Sequence, residues 1–533
     1  MQVTRRLGWL AAGAAIAAAG PARGDDAVVR PADTRAGGPD ATGTHDALDL
    51  RITLSTFLYR ETGADAPAII DQGAALTNAS PVRRYFGDLR AELTAGGFAL
   101  DARIRQTTSV RYQAGAAGGG EYELRALAYR IDAAAAQLTI GRQTIDAVGA
   151  TRIDGVAVTR AVTGGLTATV FGGAYPALGS RSLDTDYVRA GQPGGPVGEG
   201  GALVVPVTGG LGVAVRTASY HGELGAAAVR VAQDVPGASS AETSRVFATS
   251  SGYGRIAAAL DVYHFALLDV AGASGVALTN GSVGVDARPV DAVQLTASVH
   301  HVGTDVLQIA ARTLLSDPDP AAIGVVQNNL AVTRISQDAA RAAASLALAE
   351  QRFELSASGG LRRRPEVRIA LADGSGAVVF PEARSADATL SILDRRSLAG
   401  LRAQLSGTLT APIGGGAASR ARGTLVRLAV RRGFAEQRGE LEADVMAERF
   451  RDVGASNGMC MTSLDAFACY GTSTTVAAQA GALATWRVGR EWLLLVDAHA
   501  GYRDVRSSSA AGPVAWPRVL SIASFIRVQW RVR

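Results

Sequence analysis

From Ala47 onward, apolar and polar residues alternate with a period of two. Leu48, Leu50, Ile52 and Leu54 interleave with Asp49, Arg51, Thr53 and Ser55. Leu89, Ala91 and Leu93 interleave with Asp88, Arg90 and Glu92, and Leu100, Ala102 and Ile104 with Asp101, Arg103 and Arg105. Successive side chains of a strand point to opposite faces, so the pattern predicts strands with one apolar and one polar face. It returns at 293–300, at 386–392 and at 440–448, where Met446 alone breaks it. The last stretch sets Leu520, Ile522, Ile526, Val528, Trp530 and Val532 against Arg527, Gln529, Arg531 and Arg533.

The connections alternate too. Short ones are expected at Thr94–Gly97, Thr163–Gly165, Thr208–Gly210, Ala287–Asp291 and Arg487–Glu491, where turn-forming residues cluster. Long ones fall roughly at 61–82, 174–199, 304–337, 363–384 and 452–474. Tight turns at one end and long loops at the other describe a chain weaving up and down through a sheet. A hairpin with both connections needs roughly 44 residues, so residues 47–533 hold about 22 strands, with a range of 20–24. Residues 211–275 read ambiguously.

Two architectures alternate in this way. A soluble sandwich buries bulky apolar residues, and one of this size divides into domains. Here the apolar face is rich in Ala and Val, the polar face is charged, and no composition break divides the chain. A membrane barrel inverts the logic, apolar outward to lipid and polar inward to water, and must close because an open edge in lipid leaves backbone groups unpaired. Residues 486–505 test the length: Trp492, Leu494, Val496, Ala498, Ala500 and Tyr502 share a face. At about 3.3 Å per residue and a tilt of about 40°, the two aromatics stand roughly 25 Å apart in height, the span of an apolar band between its girdles. The expected fold is all-β, a single antiparallel transmembrane barrel over residues 47–533.

The first 46 residues read differently. A basic start with Arg5 and Arg6, an apolar Leu7–Ala19 run and Ala22-Arg23-Gly24 predict an export signal over residues 1–24. Residues 25–46, rich in Asp, Gly, Ala and Thr, predict a flexible periplasmic lead. The net charge of +5 falls to +2 once the three arginines of the signal are removed, because that segment carries no acid (5 − 3 = 2). So near a balance gives no footing for nucleic-acid binding. Lys is absent, so the basic residues are all Arg. Two cysteines, Cys460 and Cys469, are too few for a cysteine-ligated zinc or iron–sulfur centre.

The chain thus resembles the outer-membrane β-barrels of Gram-negative bacteria. Gly141-Arg142-Gln143 followed by Ile153-Asp154-Gly155-Val156 is similar to porin-like and alginate-export-like barrels. The resemblance implies a porin-like channel in the outer membrane, passing small solutes passively through a polar, mixed-charge lumen. The candidate pore-lining residues are Asp88, Arg90, Asp101, Arg103, Arg105, Arg427, Arg431, Glu440, Glu442 and Asp444. If Ala95-Gly96 is a two-residue hairpin loop, Arg90 opposes Asp101 and Asp88 opposes Arg103. A second hairpin near Ala435 opposes Arg427 with Glu442. The 304–337 connection is the longest candidate for folding inward.

The second function class is a structural sheath or docking barrel for a periplasmic or extracellular partner, such as a multihaem cytochrome or an export complex. No catalytic constellation, metal site or cofactor motif stands out. His300-His301 closes a strand, so at most one of the pair faces the lumen.

Cys460 and Cys469 bracket eight residues of an expected external loop, and exported proteins meet an oxidising environment. A disulfide between them should contribute a little under about 3 kcal/mol in the chain-entropy account. Mass spectrometry of alkylated, unreduced protein should find neither cysteine labelled; label on both refutes the bond.

Overall fold

The computed structural model describes residues 48–62, 83–109, 120–133, 136–176, 183, 186–189, 203–231, 244–272, 275–303, 336–370, 377–380, 382–398, 400–414, 422–436, 438–453, 470–509, 512–515 and 518–532. The expected signal and lead segments, the Cys460–Cys469 pair and the 304–337 connection up to residue 335 lie outside the described residues.

The wall is built from long strands. In chain order they are β1 Asp49–Thr62, β2 Arg83–Ala95, β3 Phe98–Ser109, β4 Gly120–Ala133, β5 Ala136–Ile145, β6 Thr151–Thr163, β7 Leu166–Ala174 and β8 Pro206–Arg216. There follow β9 Tyr220–Val231, β10 Ser244–Ala257, β11 Leu260–Ala271, β12 Ala277–Val290, β13 Val293–Gly303, β14 Ser336–Leu348 and β15 Phe353–Arg364. The remainder are β16 Ala383–Leu398, β17 Leu401–Pro412, β18 Arg422–Phe434, β19 Gly439–Val453, β20 Tyr470–Val488, β21 Trp492–Ser509 and β22 Val519–Val532. Short ladders, 188–189 with 203–204 and 367–370 with 377–380, decorate two of the long connections.

Every wall strand pairs antiparallel with its sequence neighbours, and β1 also pairs with β22, from Leu50 opposite Val532 to Thr62 opposite Leu520. The sheet is therefore a closed barrel of 22 strands. An even number of strands returns the chain to the end at which it entered.

Tight turns close one end. At β2–β3 the turn is Gly96-Gly97, both with positive φ (52° and 84°), the conformation of a two-residue turn whose twist matches the flanking strands. The Thr163–Gly165, Ala287–Asp291 and Arg487–Glu491 regions also turn. Thr208–Gly210 does not: it lies inside β8, with Gly210 opposite Phe171 on one side and Ala227 on the other. A Cβ at Gly210 would stand 2.7 Å from Cζ of Phe171, so glycine is there to admit a ring, not to bend the chain.

One face of the sheet is apolar and open. Leu54, Leu58, Leu89, Ile104, Leu295, Val299, Leu390 and Val445 are exposed on it. The other face is identified by the β5–β6 connection, a short 3₁₀ turn at Asp146–Val148. This connection joins neighbouring strands, yet packs against β8, β9 and β10. On a closed ring a straight path between two arcs of wall runs through the interior, so that contact marks the concave side. Cross-strand partners share a face, and the register carries it round the ring. Ser251, Phe265, Ser282 and His300 are successive partners, as are Asp444, Gly481 and His499, and then Phe525, Phe57 and Phe86.

A ring with no free edge cannot lose a strand without exposing paired backbone groups. The folded protein should therefore resist cold SDS and shift in mobility on boiling. At the β18–β19 turn Ala435 and Glu436 hold φ of 50° and 54°, a region costly for side-chain-bearing residues. Glu436→Gly should raise the temperature of the mobility shift, by an amount equivalent to about 0.5–1 kcal/mol.

Candidate functional site

The concave face has two characters. Over β5–β10 it carries an apolar patch: Ile145, Val148, Ile153, Ala157, Phe171, Tyr175, Ala227, Val229 and Phe247 form one buried cluster, with Val148 and Ile153 fully enclosed and Gln143, Thr208 and Thr249 beside it on the same face. The Asp146–Val148 turn lies on this cluster. Gly225 of β9 makes the seat, since a Cβ there would fall 2.2 Å from the Ala147 carbonyl oxygen and 2.6 Å from Cγ2 of Val148. The expected polar inner face is thus interrupted on this arc by an apolar patch, which receives the turn. Ala147 and Val148 of the turn are buried on the cluster, while Asp146 is exposed.

Elsewhere the face is charged and ion-paired. Arg90 donates to Asp101 through Nε at 2.8 Å and Nη2 at 2.7 Å, and also meets Glu92 at 2.8 Å. Asp88 accepts from Arg103 and, at 3.0 Å, from Arg105. Arg427 reaches Glu442 at 2.8 Å and Asp444 at 3.1 Å, Arg431 reaches Glu442 at 2.8 Å, and Glu440 accepts from Arg402.

The charge partners are those expected, but the register is not. Because the turn is Gly96-Gly97, Arg90 stands directly opposite Arg103 and Glu92 opposite Asp101. The Arg90–Asp101 and Arg103–Asp88 pairs run diagonally along the neighbouring strand, which long side chains span with ease, whereas Asp88–Arg105 and Glu442–Arg431 are direct partners. Likewise Arg427 stands opposite Met446, and Glu442 opposite Arg431. A diagonal pattern lets each arginine touch two acids, so the network tolerates like charges directly across. His300 and His301 fall on opposite faces, His300 beside Ser298 at 3.0 Å and His301 on Asp338 at 2.6 Å.

A third cluster was not anticipated. Arg142 and Asp154 are direct partners in β5 and β6, on the face opposite to Ile153. Arg142 Nε donates to Asp154 at 2.6 Å, and its Nη1 donates to the Leu124 carbonyl at 2.9 Å and to Asp186. Tyr187 donates its hydroxyl to Asp154 at 2.6 Å, and Arg152 stands 3.8 Å from Asp186. Arg142 is 7 % exposed and Asp186 4 %, although Val156 and Val158 on the same face are open. The Asp186–Tyr187 segment of the β7–β8 connection thus closes over the outer wall and is tied there by charge. Burial and the bond to Asp154 push the Tyr187 hydroxyl well above its usual range. Both motif-like pieces, at 141–143 and 153–156, belong to this clamp.

No family model matches the chain, and no curated protein matches it in sequence. Solved structures share its general outline. OprD of Pseudomonas aeruginosa is 9 % identical with a TM-score of 0.37, over 91 % of this chain and 96 % of that one. OccD3 (OpdP) of the same organism is 13 % identical at 0.34, over 92 % and 93 %. OmpT, an outer membrane protein of Vibrio cholerae, is 7 % identical at 0.29, over 91 % and 100 %.

Removing the clamp's cation leaves the buried Asp186 with only the more distant Arg152, and Asp154 with only the Tyr187 hydroxyl. Arg142→Ala should cost about 3–5 kcal/mol and lower the temperature at which the SDS-resistant band is lost. Arg142→Lys, which keeps charge but not the forked geometry, should fall between.

Proposed function

We propose that the protein is a porin-like channel of the bacterial outer membrane that passes small solutes passively along its concave face. The closed barrel with an apolar outer face is the architecture that spans outer membranes. One observation carries the channel reading. Away from β5–β10, the concave face bears ion-paired Arg, Asp and Glu that remain partly open to solvent, including Arg90, Asp101, Arg105 and Arg431. Charges left half-open are stable where water fills the interior and costly where it does not. A ring of this size also encloses more space than wall side chains fill.

The pore lining in this reading comprises Asp88, Arg90, Asp101, Arg103, Arg105, Arg427, Arg431, Glu440, Glu442 and Asp444. Because these charges largely neutralise one another, charge selectivity should be weak. The Asp146–Val148 turn supplies an inward projection over the apolar arc.

Reconstituted in a planar bilayer, the folded protein should give discrete current steps. Gly225→Leu, which fills the seat of Ala147 and Val148, should push the turn toward the axis and lower the step size, with the SDS-resistant band retained. Absence of steps from the wild type, and from a variant lacking 304–337, would sink the channel reading.

A further inference from the structure

Building on the reading of the concave face as a channel wall, we propose that the seam between the last and first strands holds a binding site for a small organic anion carrying a flat ring, an aryl carboxylate. Phe525 of β22, Phe57 of β1 and Phe86 of β2 are directly paired across three adjacent strands. They share the concave face with Arg527, Ser55 and Asp88, which form the next layer toward the tight turns. The Phe57 and Phe86 rings stack with centroids 5.0 Å apart at 23°, and Tyr59 extends the group along β1, parallel to Phe57 within 3° at 6.5 Å. All four rings stay partly exposed. A group of rings left open in a wall of Arg, Asp, Glu and Ser exposes apolar area to water with no folding gain, and a ligand that covers it recovers that loss.

The rings at both ends of the row carry guanidinium groups. Arg105 Cζ sits 4.8 Å from the Phe86 centroid and Arg527 Cζ 5.1 Å from that of Phe525. The two arginines differ in one respect. Arg105 is held by Asp88 at 3.0 Å. Arg527 donates from Nε to the Ser55 hydroxyl at 3.3 Å and, among the described residues, has no carboxylate within ion-pair distance. Its remaining N–H groups form a fork suited to a carboxylate, beside faces suited to an aromatic ring. Charge alone would accept any small anion and the rings alone any arene; the juxtaposition selects molecules with both.

The probes are benzoate, acetate and phenol. Calorimetry on the folded barrel in detergent reads binding, and current block in a planar bilayer reads occupancy of the lumen. Benzoate should bind and block, with acetate and phenol each weaker by roughly tenfold. Arg527→Gln should bring benzoate down to the level of phenol. Phe57→Leu, which keeps apolar volume and removes the ring, should weaken benzoate roughly fivefold and leave acetate unchanged. Retention of the SDS-resistant band certifies that each variant is folded. Acetate or phenol binding as well as benzoate, or benzoate binding indifferent to both substitutions, overturns the site. A barrel that binds benzoate but passes no current upholds the site and overturns the channel reading.

Discussion

Backbone hydrogen bonding in a medium without water is the constraint on which everything else here rests. Each strand must find partners on both sides, and the last obligation is met where β1 meets β22, residues separated by almost the whole sequence. Closure by an antiparallel pairing of the first and last strands requires an even strand number, brings the chain back to its starting end and defines an inside. The inside then makes chemical demands that differ from those of the lipid face, and the alternation of the sequence is the record of both demands at once.

The concave face answers those demands in two ways. Over β5–β10 it carries Ile153, Phe171, Val229 and Phe247 and is covered by a turn of its own chain, so that its apolar groups are enclosed. Over the rest it carries arginines and acids that satisfy each other both along diagonals and directly across. Buried pairs such as Arg245 with Asp269, which are 5 % exposed on both sides and 2.6 Å apart, stand where the two regimes meet. Small residues mediate the division: Gly210 yields space to Phe171 and Gly225 to the turn, and neither bends the backbone.

The strand count, the closure and the lipid-facing positions were legible because period-two alternation is a direct readout of facing. Where both faces became apolar or small, the readout failed. Residues 211–275 were ambiguous because Ala227, Val229 and Phe247 turn inward there, erasing the contrast with the lipid side. Register was harder than facing. Placing the hairpin turn one residue early shifted the pairing sum by two, so facing was kept and each direct partner was lost. The Arg142 clamp was beyond reach for another reason: Asp186 lies 44 residues away in a connection whose course no local pattern dictates. Its visible trace was the odd presence of Arg142 and Asp154 at positions that alternation assigns to the apolar face.

The described tryptophans, Trp486, Trp492 and Trp530, lie on the outer face of β20, β21 and β22 at the tight-turn end, with Trp492 and Trp530 only 6.0 Å apart. Indoles favour the boundary between hydrocarbon and headgroup, so this arc has its depth in the bilayer pinned at one leaflet. Further round the circumference, β5 to β8 carry no indole, and β6 meets that boundary with Arg160 and Val162. Changes in bilayer thickness are then accommodated by a tilt of the whole cylinder about the indole arc, and the strands that close the ring are the ones that stay still.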